Sequence, residues 1–385
     1  MPNKTPATMK PLDPSAFSLD PGLIYLNHAG VAPWPARTAA AVAAFAQTNV
    51  RRGAADYPQW LAAERRLRGQ LAGLTGAGAG DDIALLKNTS EGISMVATGL
   101  PWQAGDNVVI SDQEFPSNRM AWEALAARGV ETRVVSLAGE DPEADLVARL
   151  DGRTRVLAIS AVQFASGLRL DLARLGAACR ANHTLFVVDA IQQIGALVFD
   201  VYASLADVVI ADGHKWMLGP EGVALFWVRP ELRDRIALSQ HGWHMAEHAG
   251  DYTRTDWTPA KSARRFECGS PNMLGIHALS ASLSLLEESG MTAVEQQVLA
   301  NAEHLARGAA ALPGWSVLSR REPRFRSGIV TVCHRSGRHG DIFRALRDAG
   351  VVCAERGGGI RFSPHYYLTA AQLDRALELL ESLRV

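Results

Sequence analysis

Short apolar runs alternate along the chain with longer stretches in which apolar side chains recur at the spacing of a helix face. Such runs, bounded by glycine, proline and polar residues, predict strands. Seven of them lie at Ile83–Leu86, Asn107–Ile110, Thr132–Val135, Val156–Ile159, Leu185–Val188, Val208–Ile210 and Gly222–Trp227. Because helical stretches separate most of these runs, the pattern predicts an α/β fold with a mostly parallel seven-stranded sheet and helices on both faces.

Elements before and after these strands complete the prediction. Leu23–Leu26 predicts a short strand, and residues 36–72 have the pattern of one helical stretch. Residues 239–261 have no clear period, which predicts a long loop near the site. The tail has the pattern of a smaller α+β region, with helices at Leu274–Ser289, Ala293–Ala311 and Asp341–Ala349, strands at Trp315–Leu318, Gly328–Val332, Val351–Cys353 and Ile360–Ser363, and a last helix with a capping box at Thr369–Gln372.

The length of 385 residues exceeds what one compact core needs. We expect residues 36–262 to form a large domain and residues 263–385 to form a small C-terminal domain. Residues 1–35 are expected to be an N-terminal segment that packs on the small domain and the site.

Composition excludes several classes of partner. Apolar residues make up 48% of the chain and charged residues 21%, and the net charge is −1. This balance argues against a nucleic-acid or membrane-binding surface. The start has no apolar signal core, and no run approaches the roughly 20 apolar residues that span a bilayer, so we expect a cytoplasmic protein. The cysteines (Cys179, Cys268, Cys333 and Cys353) are scattered without metal-binding spacing, which predicts reduced thiols and no metal site.

Two of the predicted strands end in ionisable side chains that could act on one ligand. Lys215 follows the run Val208–Ile210, where burial would lower the pKa of its amine and make it a nucleophile toward an aldehyde. Asp189 ends the run Leu185–Val188, where a carboxylate could keep a pyridine nitrogen protonated and turn the ring into an electron sink. Taken singly, Lys215 could be a surface lysine and Asp189 a helix cap. Together, at the edge of the sheet where α/β folds bind ligands, they predict pyridoxal phosphate.

Four further blocks fit the same cofactor. Thr89 and Ser90 open a helix after a strand, so their hydroxyls and the free backbone N–H groups suit a phosphate, although Ser and Thr also cap helices generally. Phe115 could stack on the pyridine ring or simply pack in the core. The Gln163 amide could reach the phenolic oxygen or face a turn. Ser270, in a turn before a helix, again offers donors to a phosphate.

With these motifs the chain resembles the class V aminotransferase family, which includes cysteine desulfurases, isopenicillin N epimerase and kynureninase. The resemblance extends from Tyr25–Gly30 to Arg361–His365. It implies the fold of PLP-dependent transferases (fold type I), pyridoxal 5′-phosphate as cofactor, and a homodimer with sites at the interface. The site residues that it implies are Lys215 as Schiff-base lysine, Asp189 as pyridinium partner, Gln192 as a contact to the ring hydroxyl, Phe115 as stacking residue, Thr89, Ser90 and His214 at the phosphate, and Ser270 reaching the phosphate from the neighbouring subunit.

The resemblance also implies a small amino acid as substrate. Arg361, followed by Phe362 and Ser363, matches the arginine that binds the substrate carboxylate in the family, and a guanidinium holds a carboxylate through two parallel contacts. The alternative for Arg361 is a solvated arginine at a strand end. His28 and Ala29 are expected at the substrate as well, although histidines often have structural roles.

Two features depart from the family pattern. Desulfurases carry a catalytic cysteine on a loop some way before the arginine, whereas here that stretch is Arg344–Asp348 and Cys353 lies in an apolar strand, which predicts a buried thiol. Asp212 stands where the family often has a phosphate-binding serine. Because a carboxylate beside a phosphate is unfavourable, we expect Asp212 to turn away or to pair with a cation.

The resemblance implies chemistry at the substrate Cα, with Lys215 removing the Cα proton. Transamination or β-elimination is the expected outcome. Epimerisation, a desulfurase-like reaction and a non-catalytic module that only binds the cofactor stay open as alternatives.

Overall fold

The computed structural model describes residues 14–383; the part of the predicted N-terminal segment that precedes residue 14 lies outside the described residues. The described helices are α1 (Ala36–Arg52), α2 (Tyr57–Thr75), α3 (Thr89–Gly99), α4 (Ser117–Glu123), α5 (Pro142–Val147), α6 (Leu172–Ala181), α7 (Met273–Ser289), α8 (Met291–Ala311), α9 (His339–Asp348) and α10 (Ala370–Ser382). The described strands are β1 (Ile24–Tyr25), β2 (Ile83–Leu86), β3 (Asn107–Ser111), β4 (Glu131–Val135), β5 (Thr154–Ser160), β6 (Leu185–Asp189), β7 (Val208–Asp212), β8 (Ala224–Val228), β9 (Trp315–Val317), β10 (Val330–His334), β11 (Val351–Val352), β12 (Ala354–Arg356) and β13 (Gly359–Phe362). Within residues 14–383, no helix has the length and apolar character that crossing a membrane requires.

The large sheet has the strand order β2-β8-β7-β6-β5-β3-β4. All of its strands run in one direction except β8, which is antiparallel to both β2 and β7. The predicted mostly parallel, seven-stranded sheet is therefore confirmed. The chain moves outward from β3 to β4 and then returns to place β5 on the other side of β3. Ligands in open α/β sheets bind beyond the carboxyl ends of the strands at such a reversal.

Both faces of the large sheet are buried. In β5, Val156 and Ala158 belong to one hydrophobic core, while Leu157 and Ile159 belong to the other. Successive side chains of a strand point to opposite faces, so these two cores lie on the two sides of the sheet. Helix α3 contributes to one core, and α2, α7 and α8 contribute to the other. A fully covered sheet explains why its strands are continuous apolar runs rather than alternating ones.

The predicted single helical stretch over residues 36–72 is instead two helices, α1 and α2. Gly53 ends α1 with φ at 53°, in the left-handed region that favours glycine. Pro58 lies in the first turn of α2, where its missing N–H costs nothing. The break was therefore encoded in Gly53 and Pro58, but the alanine-rich composition on both sides concealed it.

The C-terminal part is built on a second, antiparallel sheet with the order β12-β13-β10-β9. Strand β12 was not predicted. Strand β1 pairs in parallel with β11, and Asn27 forms a bridge to Ser363, so the segment before α1 joins this part of the protein. The capping box of the last helix is confirmed, because the Thr369 hydroxyl accepts from the Gln372 N–H and the Gln372 side chain accepts from the Thr369 N–H. The division at residues 36–262 and 263–385 stays a prediction.

Candidate active site

A cavity of about 540 Å³ opens at the carboxyl edge of the large sheet. It is lined by Ala29, Gly30, Val31, Asn88, Thr89, Ser90, Phe115, Ser117, Phe164, Asp189, Ile191, Asp212, His214, Lys215, Glu221, Gly222, Arg356 and Arg361. Most of the residues that the sequence predicts for the site are in this set. They come from separate segments that the strand order brings to one edge.

Burial shifts the pKa values of two ionisable groups in this cavity, Asp189 and Lys215, in opposite directions. Burial raises the pKa of the Asp189 carboxyl to about 7, although the Ile191 N–H and the Lys215 ammonium both favour the carboxylate. Burial lowers the pKa of the Lys215 amine to about 8, against the attraction of Asp189. Asp189 accepts the Ile191 N–H at 3.0 Å, and no α-helix follows it, so it is not a helix cap. A cavity that shifts both pKa values toward neutrality favours proton transfer.

Apolar side chains line the space beside Asp189 and Lys215. The Phe115 ring is 43% exposed, and the Lys215 Nζ lies 5.5 Å from its centroid. The rings of Phe164 and Phe115 meet edge to face with their centroids 5.2 Å apart. This contact fixes the orientation of the Phe115 ring and leaves part of that ring free to stack on a ligand. Ile191, two residues after Asp189, also lines the cavity. Ile191 was not predicted for the site, although its position two residues after a strand-end carboxylate was a usable signal.

The start of α3 supplies hydrogen-bond donors to the cavity. The Asn88 side chain accepts from the Glu91 N–H at 2.9 Å and so caps the helix. Thr89 is buried, and its hydroxyl has no hydrogen-bond partner among the described residues. The Ser90 hydroxyl is 2.7 Å from the Ser117 hydroxyl, which joins α3 to α4. Because a buried hydroxyl without a partner is costly, the Thr89 hydroxyl fits an anion such as phosphate at the helix start.

Asp212 and His214 lie side by side at the end of β7. The Asp212 Oδ1 is 3.0 Å from the His214 Nδ1, but the angles between the two groups do not make a hydrogen bond. His214 is the neighbour of Asp212 in this place, and the predicted pairing of Asp212 with a cation stays a prediction.

Arg361 extends from β13 into the cavity and is buried. Its guanidinium donates to the Phe164 carbonyl at 2.7 Å and to the Asn27 side-chain oxygen at 2.8 Å, whereas the Arg361 Nε has no partner among the described residues. Burial lowers the pKa of Arg361 to about 10. The solvated-arginine alternative therefore does not describe Arg361, which is a fixed and buried cation.

Gln163 and Gln192 do not line the cavity. The Gln163 amide donates to Glu114 at 3.0 Å, and its side-chain oxygen has no partner among the described residues. The Gln192 amide donates to the Ala29 carbonyl at 3.0 Å, and its oxygen accepts from the Trp216 indole at 2.9 Å. Gln192 therefore holds Ala29 at the cavity wall, and a direct cofactor contact by either glutamine stays a prediction.

His28 lies beneath the cavity rather than in it. Its Nδ1 donates to the Ser363 carbonyl and its Nε2 accepts from the Tyr367 hydroxyl, both at 2.9 Å. Burial, with a contribution from His365, holds the pKa of His28 well below its usual value. With both ring nitrogens occupied, His28 joins the N-terminal segment to the C-terminal part, while Ala29 beside it does line the cavity.

Ser270 lies outside the Lys215 cavity, exposed in a separate depression beside Lys87. Its predicted role from a neighbouring subunit stays a prediction. Residues 239–261 form the predicted loop, but its segment around Trp243 lines a different cavity of about 510 Å³ that the loop itself encloses. In the single chain this loop does not reach Lys215.

None of the cysteines lines the Lys215 cavity. Burial raises the pKa of both Cys179 and Cys353 to about 12, which keeps these thiols protonated and unreactive. Cys268 and Cys333 are partly exposed elsewhere. The prediction that Cys353 is a buried thiol is confirmed.

One cluster of possible metal ligands occurs among residues 14–383. Glu64, His244 and Glu267 have ligand atoms within 4.8 Å of one another. Arg68 donates to Glu64 at 2.6 Å and to Glu267 at 2.7 Å, so a guanidinium already occupies the position of a cation. This cluster is a buried ion network that ties α2 to the segment before α7.

Comparison with known proteins identifies the family. Residues 24–376 match the family model described as aminotransferase class-V. A probable cysteine desulfurase of Methanothermobacter thermautotrophicus is 30% identical, with 94% of each chain covered. Isopenicillin N epimerase of Streptomyces clavuligerus is 28% identical over 78% of this chain and 80% of its own.

A solved structure of a cystine C–S lyase in complex with cysteine persulfide superposes with a TM-score of 0.87. It is 25% identical and covers 94% of this chain and 98% of its own. The segments Tyr25–Gly30 and Arg361–His365, with the cavity between them, lie inside the matched region. The chain is a member of the class V aminotransferase family of pyridoxal-phosphate-dependent enzymes.

Proposed function

We propose that this enzyme catalyses β-elimination from a small amino acid, with Lys215 as the base at Cα. The observation that supports this choice most directly is the composition of the cavity. It contains a buried amine beside a buried carboxylate, and it contains none of the cysteines of the chain. The second candidate is transamination, which would use the same lysine and the same first step.

The residues present fit pyridoxal 5′-phosphate. Asp189 would hold the ring nitrogen, and Phe115 and Ile191 would face the ring. Thr89 with the start of α3 would hold the phosphate, because the buried Thr89 hydroxyl has no partner within residues 14–383. When bound, the cofactor supplies an electron sink for the charge that develops at Cα. Lys215 would hold the cofactor covalently through its amine.

The chain's own residues would orient the substrate and move its proton. Arg361 lines the cavity with its guanidinium and would bind the substrate carboxylate, which would orient the Cα–H bond toward Lys215. The amine of Lys215, with a pKa near 8, can take the Cα proton and return it to the leaving group. The electrons left at Cα form a Cα–Cβ double bond as the bond from Cβ to the substituent breaks, and the substituent departs with the proton from Lys215. One water then hydrolyses the released 2-aminoacrylate to pyruvate and ammonia.

Sulfur transfer to the enzyme is the less favoured outcome. A desulfurase needs an accessible thiolate at the substrate, and Cys353 is buried with a pKa raised to about 12. Without such an acceptor, sulfur leaves with the departing fragment. The names of relatives that are desulfurases therefore do not decide the reaction of this chain.

Product analysis tests the proposal. We expect S-substituted cysteines to yield pyruvate and ammonia in equal amounts together with the free thiol, with the same rate for Cys353→Ser. Lys215→Ala should abolish the reaction, whereas Lys261→Ala, which removes an exposed lysine, should retain it. A keto acid that keeps the substrate side chain would establish transamination instead, and a D-amino acid would establish epimerisation.

We also propose a homodimer in which Ser270 of one subunit approaches the cofactor phosphate of the other. Ser270 is exposed and lies outside the Lys215 cavity of its own chain, which leaves it available to a second subunit. Sedimentation should give twice the mass of the chain, and Ser270→Ala should weaken cofactor retention. A monomer that retains cofactor and activity would contradict this arrangement.

A further inference from the structure

Arg356 is a second arginine at the cavity, and no motif pointed to it. In the pairing of β12 with β13, Arg356 lies opposite Gly359 and Ala354 lies opposite Arg361. Side chains at positions 359 and 361 share one face of a strand, and directly opposed residues share a face as well. Arg356 and Arg361 therefore project from the same face of this hairpin, and both line the cavity.

The hairpin holds Arg356 in a defined position. Gly357 and Gly358 form its two-residue turn with φ at 59° and 79°, the left-handed values of a type I′ turn. A Cβ on Gly359 would collide with the Val332 carbonyl oxygen, so the strand packs closely against β10. A tight turn and a close strand contact leave the backbone of Arg356 little freedom, which suits a side chain that must meet a ligand.

Among residues 14–383, no carboxylate pairs with the charge of Arg356. Its hydrogen bond within residues 14–383 is to the Glu355 carbonyl at 3.5 Å, and no carboxylate there lies within ion-pair distance. The carboxylates that line the cavity, Asp189, Asp212 and Glu221, belong to the large sheet and its loops.

The cavity therefore has two guanidinium groups on one wall. Arg361 likewise has no carboxylate partner in the described part of the chain, where it donates to a carbonyl and to an amide oxygen. Two like charges that share a cavity repel each other, and each gains from an anion. The α-carboxylate of a substrate can pair with only one of these guanidinium groups. The other guanidinium group therefore indicates that the ligand carries a second anionic group.

We propose that Arg356 binds an acidic group at the far end of the substrate side chain, so that the substrate class is amino acids with an anionic side-chain terminus. This inference rests on the proposed function, since Arg361 is taken to hold the α-carboxylate. It extends that function by making Arg356 the residue that selects the substrate.

A matched pair of substrates tests the inference. S-carboxymethyl-L-cysteine and S-carbamoylmethyl-L-cysteine have the same size and the same sulfur leaving atom, and they differ in the charge of the terminal group. We expect kcat/KM of the wild-type enzyme to be about tenfold higher for the carboxymethyl substrate. A tenfold preference corresponds to the lower end of the energies of charge-assisted hydrogen bonds, because Arg356 is exposed.

Variants of Arg356 test whether this side chain causes the preference for the carboxymethyl substrate. Arg356→Gln should reduce the ratio of the two kcat/KM values to about one, and Arg356→Lys should retain part of it, because the charge stays while the planar fork is lost. Arg375→Gln, which removes an exposed arginine on α10, should leave the ratio as in the wild type.

The two proposals fail in different ways. If the wild-type enzyme eliminates both substrates equally well, or if Arg356→Gln keeps the preference, the anion site is wrong while β-elimination stands. If neither substrate yields pyruvate and the products retain the side chain, β-elimination is wrong. The preference can then still be scored on the keto acids.

Discussion

Replacing Asp189 by asparagine should stabilise the cofactor-free protein at neutral pH while impairing the enzyme. The Asp189 carboxyl is almost fully buried, and burial raises its pKa from 3.8 to about 7. Asparagine has the same shape, carries no charge and can still accept the Ile191 N–H. Asp189→Asn thus removes the cost of a buried carboxylate and keeps the hydrogen bond.

The size of the effect follows from the pKa difference between the folded and unfolded chains. About three pKa units at about 1.4 kcal/mol each give roughly 4 kcal/mol at pH 7. This value is an upper limit, because the Lys215 ammonium loses an attractive neighbour. Between about pH 4 and pH 7 the unfolded chain has lost a proton that the folded chain still holds, so the contribution of Asp189 to stability falls as the pH rises.

Urea unfolding of cofactor-free wild type and Asp189→Asn at several pH values measures this difference. We expect the variant to be more stable at pH 7, and we expect the advantage to shrink to about 2 kcal/mol at pH 5 and to vanish below about pH 4. With cofactor, the same variant should bind more weakly and turn over poorly. Equal stabilities at pH 7, or an advantage that grows as the pH falls, would refute the reasoning about Asp189.

Two further predictions concern the cofactor site. The rate at which cofactor-free enzyme recovers its absorbance with added pyridoxal 5′-phosphate should rise with pH to half of its maximum near pH 8, since only the neutral amine of Lys215 attacks the aldehyde; a pH-independent rate would contradict this. Thr89→Ala should weaken cofactor binding about 10- to 100-fold through loss of a hydrogen bond to a charged group, measured by equilibrium dialysis. Thr89→Ser should bind almost as well as the wild type, and Thr98→Ala, an exposed threonine on the same helix, should be unchanged.

The sheet and its strand-end chemistry could be predicted because both are local in the sequence. A fully covered sheet needs continuous apolar strands, and these stand out in the chain as runs such as Val208–Ile210. Asp189 directly follows such a run and Lys215 comes five positions after one, so their position at the edge of the sheet follows from the runs themselves. Thr89 and Phe115 were found in the same way.

Residues whose partners are distant in sequence were harder to predict. His28 was expected at the substrate, but Ser363 and Tyr367, more than 300 positions away, engage both nitrogens of its ring. Gln192 was expected at the cofactor, but its side chain joins Ala29 to Trp216. A histidine or glutamine beside a strand looks the same in sequence whether it faces a ligand or the core.

Arg356 escaped prediction for a different reason. It ends the three-residue strand β12, which is too short to give a period, and it precedes three glycines that suggest only a turn. Its place at the cavity depends on the pairing of β12 with β13. The register of that pairing was not available from the sequence.

Borohydride reduction of the purified holoenzyme, followed by mapping of the modified peptide, tests most directly the claim that Lys215 and Asp189 act on one cofactor. We predict a reduced pyridoxyl phosphate group on Lys215 in the wild type. The same group should appear on Lys215 at lower occupancy in Asp189→Asn. The remaining lysines, Lys4, Lys10, Lys87 and Lys261, should stay unmodified. Modification of one of those lysines in place of Lys215 would contradict the account.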